Sequence, residues 1–409
     1  MRHLVDIKRG EGRAVAYAFG AFFCVLSSYY ILRPLREAMG IVGNVKDLSR
    51  LFLVTLAATF ALTPVLAAVV SRWPRRRFVP IVYRFFAVNL LVFFVLLRGA
   101  SVHPDVARVF FVWTSVFNLF TLSLLWGVLA DLFQREQGLR LFGLIGGGGT
   151  LGAMVGSLVT SVLVERLGIA PLVLVSAALL EGAVQLVRRL VRLFGDPAPR
   201  TTTADPALAK DGVLRWLPAL LKNPYLLAIC AYMLLFTFTS TNVYFEQARI
   251  VKSAVTTNAA RTALFARMDL VVNVLSLGLQ ALVVGRLLHR FGVGLTLALL
   301  PLMSIVGFTF LGTSPTLAVI VVFQVLRRAA DYGIAKPSRE VLFTSVRRED
   351  KYKAKSFIDT FVYRTGDAIG ALAEGAFASS ASPFLISVPV CAVWAAVALL
   401  LGRMQRTST

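Results

Sequence analysis

The chain has 409 residues, of which 57% are hydrophobic and only 16% are charged. A soluble protein carries about 25% charged residues, so this composition excludes an ordinary soluble globular protein. The formal net charge is +22, but the basic residues stand in the gaps between apolar runs and not on one domain face, which argues against nucleic-acid binding.

Long apolar runs recur along nearly the whole chain. A helix needs about 20 apolar residues to cross the hydrocarbon layer, and these runs are too long and too uniform for the strands of a membrane barrel. We therefore predict an all-α membrane protein with about twelve transmembrane helices. The predicted spans are 14–36, 48–71, 78–98, 106–132, 139–165, 170–194, 224–248, 262–288, 293–312, 316–336, 354–378 and 383–403.

Basic residues fall in every second gap between the spans. They crowd the N-terminal tail, the gaps after spans two, six and ten, and the C-terminus, so the positive-inside rule predicts that both termini are cytoplasmic. The longest polar gap, 195–222, is predicted to be a cytoplasmic linker between two six-helix bundles, 1–194 and 223–409. A weak internal repeat supports two pseudo-symmetric halves, because SSYYILRPLR (27–36) aligns with STNVYFEQAR (240–249).

Span five contains the glycine-rich run GLIGGGGTLGAMVG (143–156). The run lacks the Gly-Lys-Ser/Thr ending and the preceding strand of a phosphate-binding loop. Gly148, Gly152 and Gly156 recur at every fourth position, which predicts close packing against another helix.

Charged residues inside apolar spans are costly, at roughly 2.5–3.5 kcal/mol each on insertion scales, so they usually face a cavity or a partner. In span one, Arg33, Arg36 and Glu37 share a helical face with Tyr29. Two interpretations stay open: an anchor at the outer headgroups, or a site for an anionic substrate. Glu246 of span seven aligns with Arg33, and we predict a gate bridge between these two; the alternative is two unrelated interface residues.

Further polar stripes occupy the later spans. Asp269 and Asn273 lie on one in span eight, and Asn118 lies on one in span four; we assign these three residues to substrate binding. In spans ten and eleven and the gap between them, acidic and basic residues indicate either a buried network of ion pairs or part of a substrate site. We assign Asp331, Arg339, Glu340, Lys355, Asp359 and Glu374 to the coupling or structural network, and Arg328, Arg364 and Asp367 to substrate binding. Glu181 in span six has no evident partner.

Three segments resemble the ATP/ADP translocase family of bacteria and plastids. ILRPLREAMG (31–40) resembles its Leu-Arg-x-x-Lys/Arg-acidic motif, and KPSREVLFTSVRREDKYKAKSFIDTFVYRTGDAIG (336–370) resembles its segment between spans ten and eleven. The tract from Trp126 to Gly156 also fits. The layout in two six-span halves resembles the major facilitator superfamily. The resemblance implies exchange of ATP for ADP or other nucleotides, with Arg36 at the position of the family's nucleotide-binding basic residue.

The chain departs from this family's pattern at two positions. Asp367 follows Gly366 where the family has a lysine, and Asn118 stands where the family has a binding glutamate. Arg364, one helical turn before Asp367, is the candidate for the missing positive charge.

These patterns together predict a secondary transporter that works by alternating access and exchanges nucleotides or another phosphorylated anion. The alternative is a proton-coupled major facilitator exporter of a drug, lipid or other small metabolite. The sequence has no nucleophile elbow, metal-ligand spacing or Walker motif, so no enzyme activity, cofactor or metal is expected. We expect a monomer in the bacterial inner membrane, with a small anionic substrate and the lipid bilayer as partners. The cysteines Cys24, Cys230 and Cys391 show no paired spacing.

Overall fold

The structure is a computed structural model that describes residues 7–8, 10–43, 46–72, 75–99, 102–194, 220–221, 223–346, 354–355, 357–377 and 383–408. Every long regular element in these ranges is helical, which confirms the all-α prediction. The long helices are α1 (Gly12–Gly40), α2 (Lys46–Arg72), α3 (Arg75–Leu96), α4 (Pro104–Leu132), α5 (Arg135–Leu167), α6 (Ile169–Phe194), α7 (Pro224–Ala254), α8 (Asn258–Gly278), α9 (Val284–Thr313), α10 (Leu317–Ala330), α11 (Lys336–Leu342), α12 (Tyr363–Phe377) and α13 (Pro383–Ser408). π-Helical turns at Leu279–Val283, Asp331–Ala335 and Ile358–Val362 adjoin α8, α10 and α12.

Within the described ranges, nine segments are long and apolar enough to cross a membrane. One of them, Asn258–Thr313, covers the two predicted spans 262–288 and 293–312. Gly292, with φ 74°, breaks the helix between these two spans. The predicted spans 316–336 and 354–378 are not among the nine. The helix α10 has only 14 residues, and part of 354–378 lies outside the described residues.

Large apolar side chains cover the outer faces of these helices. On α3, a row at helical spacing is more than half exposed, and it comprises Ile81 (51%), Phe85 (60%), Val88 (57%), Val92 (53%) and Val95 (64%). A contiguous apolar surface of this kind requires a membrane or a protein to cover it. Together with the nine apolar segments, it makes the chain an integral, multi-pass membrane protein.

The chain forms two compact units, each with its own hydrophobic core. Unit 1 comprises Met1–Asn44, Val54–Thr202 and Val255–Leu270, and unit 2 comprises Val45–Leu53, Thr203–Ala254 and Val271–Thr409. These units differ from the predicted halves 1–194 and 223–409 in two segments. Val45–Leu53 clusters with unit 2, and Val255–Leu270, which includes the first half of α8, clusters with unit 1. Most of the predicted linker 195–222 lies outside the described residues.

Unit 1 is built on a close contact between α1 and α5. Three glycines of α5 face the α1 backbone so tightly that a Cβ atom at any of them would collide with a carbonyl oxygen. The glycines are Gly148, Gly152 and Gly156, and the opposing carbonyls belong to Phe19, Phe23 and Ser27. The hydroxyl of Ser27 also donates a hydrogen bond to the carbonyl of Gly152 at 3.0 Å. The close helix packing predicted from the glycine spacing is confirmed.

Glu11 fastens the start of α1 to α5. Its carboxylate accepts hydrogen bonds from Nε2 of Gln137 and Nη2 of Arg140, at 3.0 Å each, and from the backbone N–H of Lys8 at 3.0 Å. The bond from Gln137 is the main reason that the pKa of Glu11 lies below its usual value. The same Gln137 forms a capping box with Gln134 that begins α5.

Unit 2 is organised around α7 and α13. Trp394 of α13 is fully buried, and its ring centroid lies 5.5 Å from that of Tyr232 and 5.8 Å from that of Phe236, both on α7. Gly294 of α9 and Gly402 of α13 meet backbone to backbone, so neither position has room for a Cβ atom. The α7 face that carries Phe236 also carries the hydroxyl groups described below.

Candidate functional site

Arg36 of α1 has a carboxylate on one side and an aromatic ring on the other. Its Nη1 lies 2.9 Å from Oε1 of Glu37, and the side chains are 18% and 12% exposed. The guanidinium carbon lies 4.1 Å from the ring centroid of Phe111 on α4, a cation–π contact. Nε of Arg36 is buried and has no hydrogen-bond partner among the described residues. The arginine thus keeps one donor available in a partly desolvated setting.

Arg33 lies one helical turn before Arg36 and has a different carboxylate. Its Nη1 is 3.6 Å from Oδ1 of Asp269 on α8, within unit 1, and the side chains are 16% and 3% exposed. This separation exceeds the 2.7–2.9 Å of a charge-assisted hydrogen bond, so the pair is a loose ion pair. The guanidinium also lies 5.6 Å from the ring centroid of Tyr30.

Packing of the first half of α8 into unit 1 brings Asp269 to Arg33. Ala263 is fully buried in the core of unit 1. Nη2 of Arg267 donates to Oε1 of Glu165 on α5 at 3.1 Å. Before them, Nε of Arg261 donates to the carbonyl of Val255 at 2.8 Å, which fixes the turn that leads into α8.

The two predicted asparagines lie in different units. Asn118 on α4 is half-buried. The hydroxyl groups of Thr114 and Thr121, on either side of it, donate hydrogen bonds to backbone carbonyls of the same helix. Asn273, one turn beyond Asp269 on α8, belongs to the segment that clusters with unit 2. Its Nδ2 is buried and has no hydrogen-bond partner in the described part of the chain.

In unit 2, the most deeply buried arginine is Arg327 of α10, which is 3% exposed. Its guanidinium is surrounded by hydroxyl groups from two other helices. Nε donates to Oγ of Ser304 at 3.2 Å, and Nη2 donates to Oγ1 of Thr239 at 3.1 Å and to Oγ of Ser240 at 3.0 Å. Each of these hydroxyls donates its own proton to a carbonyl of its helix, so its lone pairs face the arginine. The adjacent Arg328, for which the sequence pattern predicts a role in substrate binding, is half-buried.

The predicted network residues near the end of span ten form two separate pairs. Nη2 of Arg339 lies 3.3 Å from Oδ1 of Asp331. Its guanidinium lies 4.8 Å from the ring centroid of Phe236. Nζ of Lys355 donates to both carboxylate oxygens of Glu340, at 2.8 and 2.6 Å. The side chains of Asp359 and Glu374 lie outside the described residues, so their place in this network stays a prediction.

Arg364 and Asp367 lie together on α12. Nη1 of Arg364 is 3.8 Å from Oδ2 of Asp367, whose Oδ1 accepts a hydrogen bond from Thr241 of α7 at 3.4 Å. Gly366 and Gly370 let α12 approach α7 closely, since a Cβ atom at either would collide with a threonine side chain of α7. The pairing of Arg364 with its own carboxylate neighbour means that its charge is already balanced locally.

The predicted gate residues Arg33 and Glu246 lie in different units, and their bridge stays a prediction. Within unit 2, Glu246 accepts a hydrogen bond from Nη1 of Arg249, one turn further along α7. Arg33 lies beside Asp269, and Arg36 lies beside Glu37. Each of the three carboxylates, Glu37, Glu246 and Asp269, therefore has an arginine next to it.

Glu181 of α6, for which the sequence offered no partner, forms a bidentate pair with Arg84 of α3. Nε of Arg84 donates to Oε2 at 3.0 Å and Nη2 donates to Oε1 at 2.7 Å. The presence of a lone base and a lone acid in two apolar spans was the only available signal for this pair. No three His, Cys, Asp or Glu side chains among the described residues are grouped as metal ligands would be.

Comparison with solved structures identifies the architecture. A bacterial homologue of the iron transporter ferroportin in an inward-facing state is 15% identical, with a TM-score of 0.64 over 97% of this chain and 98% of that one. A bacterial homologue of the human lysosomal transporter Spinster is 15% identical, with a TM-score of 0.63 over 98% and 99%. The nucleoside transporter NupG is 13% identical, with a TM-score of 0.57 over 98% and 99%.

These likenesses confirm the predicted major facilitator fold. No protein-family model matches the chain, and no curated protein matches it. The resemblance to ATP/ADP translocases therefore stays a prediction that rests on the quoted motifs.

Proposed function

We propose that the chain is a secondary transporter that works by alternating access and exchanges nucleotides or other phosphorylated anions across the membrane. One observation carries this proposal. Arg33 and Arg36 lie one turn apart inside a membrane-spanning helix, and each has a carboxylate beside it, at 3.6 and 2.9 Å. Arginines at such depth mark substrate pathways more often than structural joints.

The carboxylates of Asp269 and Glu37 occupy the positions that an anionic substrate would take. A phosphate group offers the same oxygen geometry to a guanidinium fork as a carboxylate and carries more charge. It can therefore replace Glu37 at Arg36 and Asp269 at Arg33. The buried Nε of Arg36 has no partner among the described residues, so it is a further donor for an anion that takes the place of Glu37.

The spacing of the two arginines favours a substrate with adjacent phosphate groups. Residues three apart on a helix have Cβ atoms about 5–6 Å apart. Two guanidinium groups at that separation can each bind a neighbouring phosphate of a nucleoside diphosphate or triphosphate. Phe111 beneath Arg36 limits where that guanidinium can move and so keeps it directed at the ligand.

The link between Arg33 and Asp269 also supports exchange over one-way flux. This ion pair ties the first half of α8 to α1 within unit 1. An anion that takes Arg33 away from Asp269 removes that tie. We propose that the conformational change requires this release, so that it depends on a bound substrate in both directions, which is the condition for exchange.

We further propose that the substrate is cargo and is not chemically changed, that one chain is a complete transport unit, and that the chain lies in the bacterial inner membrane with both termini cytoplasmic. The orientation follows from the distribution of basic residues between the spans.

A second candidate function is proton-coupled export. Asp269 favours it, because this carboxyl group is 2% exposed and its ion pair with Arg33 is loose. Carboxylates inside membrane spans are common proton carriers.

The decisive experiment is counterflow in proteoliposomes. Liposomes that contain the purified protein are loaded with unlabelled ADP, and labelled ATP is added outside without a pH gradient. We expect uptake that depends on the internal ADP and falls at least tenfold with Arg36→Leu. The matched control is Arg98→Leu, because Arg98 lies 4.1 Å from the ring of Phe94, the same distance as in the pair of Arg36 with Phe111.

Three results would reject nucleotide exchange: no uptake with internal ADP, equal uptake with and without it, or equal loss in both variants. Flux that appears only with an imposed pH gradient would instead support the second candidate. A thermal-shift screen of nucleotides and sugar phosphates against the detergent-purified protein would identify the substrate class directly, since a ligand of the folded state raises its apparent stability.

A further inference from the structure

Arg84 and Glu181 form an ion pair on the outer surface of unit 1. Both hydrogen bonds between them are well formed, at 3.0 and 2.7 Å. Even so, the side chains are 45% and 40% exposed. On the same face of α3, Ile81, Phe85 and Val88 are 51%, 60% and 57% exposed. The pair therefore lies within a surface that is otherwise apolar.

This surface lies at the depth of the lipid tails. Arg84 is about 14 Å along α3 from its first residue, and Glu181 is about 20 Å along α6 from its last, at 1.5 Å per residue. The hydrocarbon layer is about 30 Å thick, so both residues lie well inside it. Lipid tails offer no hydrogen-bond acceptors.

The pair is not fully satisfied by itself. Arg84 has five N–H donors, and among the described residues it donates only to Glu181, through Nε and Nη2. Within that part of the chain, the N–H groups of Nη1 are left without an acceptor. Glu181 accepts from Arg84 and from Gln185, and its oxygens keep further lone pairs. Unfilled donors and acceptors in hydrocarbon are costly, so a covering group with polar atoms is expected.

We propose that this face of α3 and α6 is where two copies of the chain associate as a dimer. Chains inserted in the same direction form a closed dimer through a two-fold axis along the membrane normal. Such an axis keeps each residue at its depth and places an acid opposite a base. Nη1 of Arg84 then meets the carboxylate of Glu181 in the second copy, and the reverse, which gives a ring of four alternating charges.

The shape of the α6 surface supports the same occupant. Ala178, one turn before Glu181, is exposed and small, which allows a second helix to approach. A dimer formed here uses α3 and α6 and leaves Arg33 and Arg36 of each copy untouched. The dimer departs from the monomer expected from the sequence, and it is independent of the proposed transport function, in which one chain is the complete transport unit.

The test is the association of the full-length protein in liposomes at low density, measured by single-molecule photobleaching. We expect the wild type to bleach in two steps. The double variant Arg84→Leu with Glu181→Leu removes both charges without leaving one unpaired, and it should weaken dimerisation at least tenfold. The matched control, Arg267→Leu with Glu165→Leu, removes another exposed ion pair of unit 1 and should dimerise as the wild type does.

A second variant keeps the proposal testable if the double variant fails to fold. Ala178→Trp retains both charges and fills the space that the second helix needs, so it should also bleach in one step. A monomeric wild type at all densities would overturn the proposal, as would wild-type dimerisation of either variant. Equal weakening by the Arg267 and Glu165 control would overturn it too, because the effect would then not belong to this face.

Discussion

Arg36 and Arg327 are both arginines on helices packed within their own unit, and their surroundings differ in kind. Arg36 is partly exposed and has one carboxylate, one ring and a buried Nε without a partner among the described residues. Arg327 is 3% exposed and donates to three hydroxyls of two other helices. A carboxylate can be exchanged for a substrate anion, whereas hydroxyls committed to their own helices cannot leave. The first arrangement suits binding, and the second suits holding unit 2 together.

The largest expected effect tests whether Arg327 has a structural role. Arg327→Leu removes three charge-assisted hydrogen bonds and should lower the free energy of unfolding by about 3–5 kcal/mol. Thermal or denaturant unfolding of the purified protein measures this loss. Arg36→Leu should stay within about 1 kcal/mol of the wild type in the same assay. A stable Arg327→Leu protein that has lost transport would assign Arg327 to the substrate instead.

The next effect tests whether Arg36 binds the transported anion. Arg36→Leu should lower kcat/KM for exchange at least a hundredfold, or about 2.7 kcal/mol, because the phosphate loses its bidentate partner. The kcat/KM of Arg36→Lys should lie between those of the wild type and Arg36→Leu, since lysine keeps the charge but loses the bidentate fork. Initial rates of counterflow measure both. Wild-type rates in Arg36→Leu would remove α1 from the binding site.

A smaller effect decides which carboxylate serves Arg33. Arg33→Asp should lower exchange about tenfold, and adding Asp269→Arg should restore most of it, because the ion pair is rebuilt with reversed charges. The competing exchange, Arg33→Glu with Glu246→Arg, tests the gate predicted from the internal repeat. Rescue by one double variant only identifies the partner. If neither double variant exceeds its single variants, transport depends on neither ion pair.

The smallest effect tests whether the carboxylate of Asp269 competes with the substrate for Arg33. Asp269→Asn removes the competitor at Arg33 and leaves the arginine charge available. Because the pair is loose, losing this competitor should lower KM for the anion about threefold, which corresponds to about 0.7 kcal/mol. Arg36→Leu changes the affinity in the opposite direction. A higher KM in Asp269→Asn would mean that Asp269 binds or positions the substrate itself.

The fold was accessible from the sequence because membrane insertion imposes a simple code. Apolar run length predicts helices, and Gly148, Gly152 and Gly156 predict a close helix contact; the structure confirms both. The assignment of segments to the two compact units follows no such code. The segment Val255–Leu270 follows the linker in sequence yet clusters with unit 1, which no local pattern could indicate.

The candidate site was only partly predictable. Helical spacing correctly places Arg33, Arg36 and Glu37 on one helix, but it gives the direction of a side chain and not its neighbour. The pairs of Arg33 with Asp269 and of Arg84 with Glu181 join helices distant in sequence, and they depend on how those helices pack. The hydroxyls around Arg327 were hidden for another reason: serine and threonine are ordinary residues in membrane helices, so Ser304 gives no signal of its own.

The contact between α1 and α5 has a consequence for how this chain can vary. Six glycines lie within 146–156, yet only Gly148, Gly152 and Gly156 face a carbonyl oxygen; Gly146 and Gly147 have nothing within 4 Å, and Gly149 meets only flexible side chains. A saturation library across this run should therefore retain glycine at every fourth position. Gly148, Gly152 and Gly156 would accept glycine alone, whereas Gly146 and Gly147, which have open space beside them, would accept alanine, serine and larger side chains at little cost to the protein.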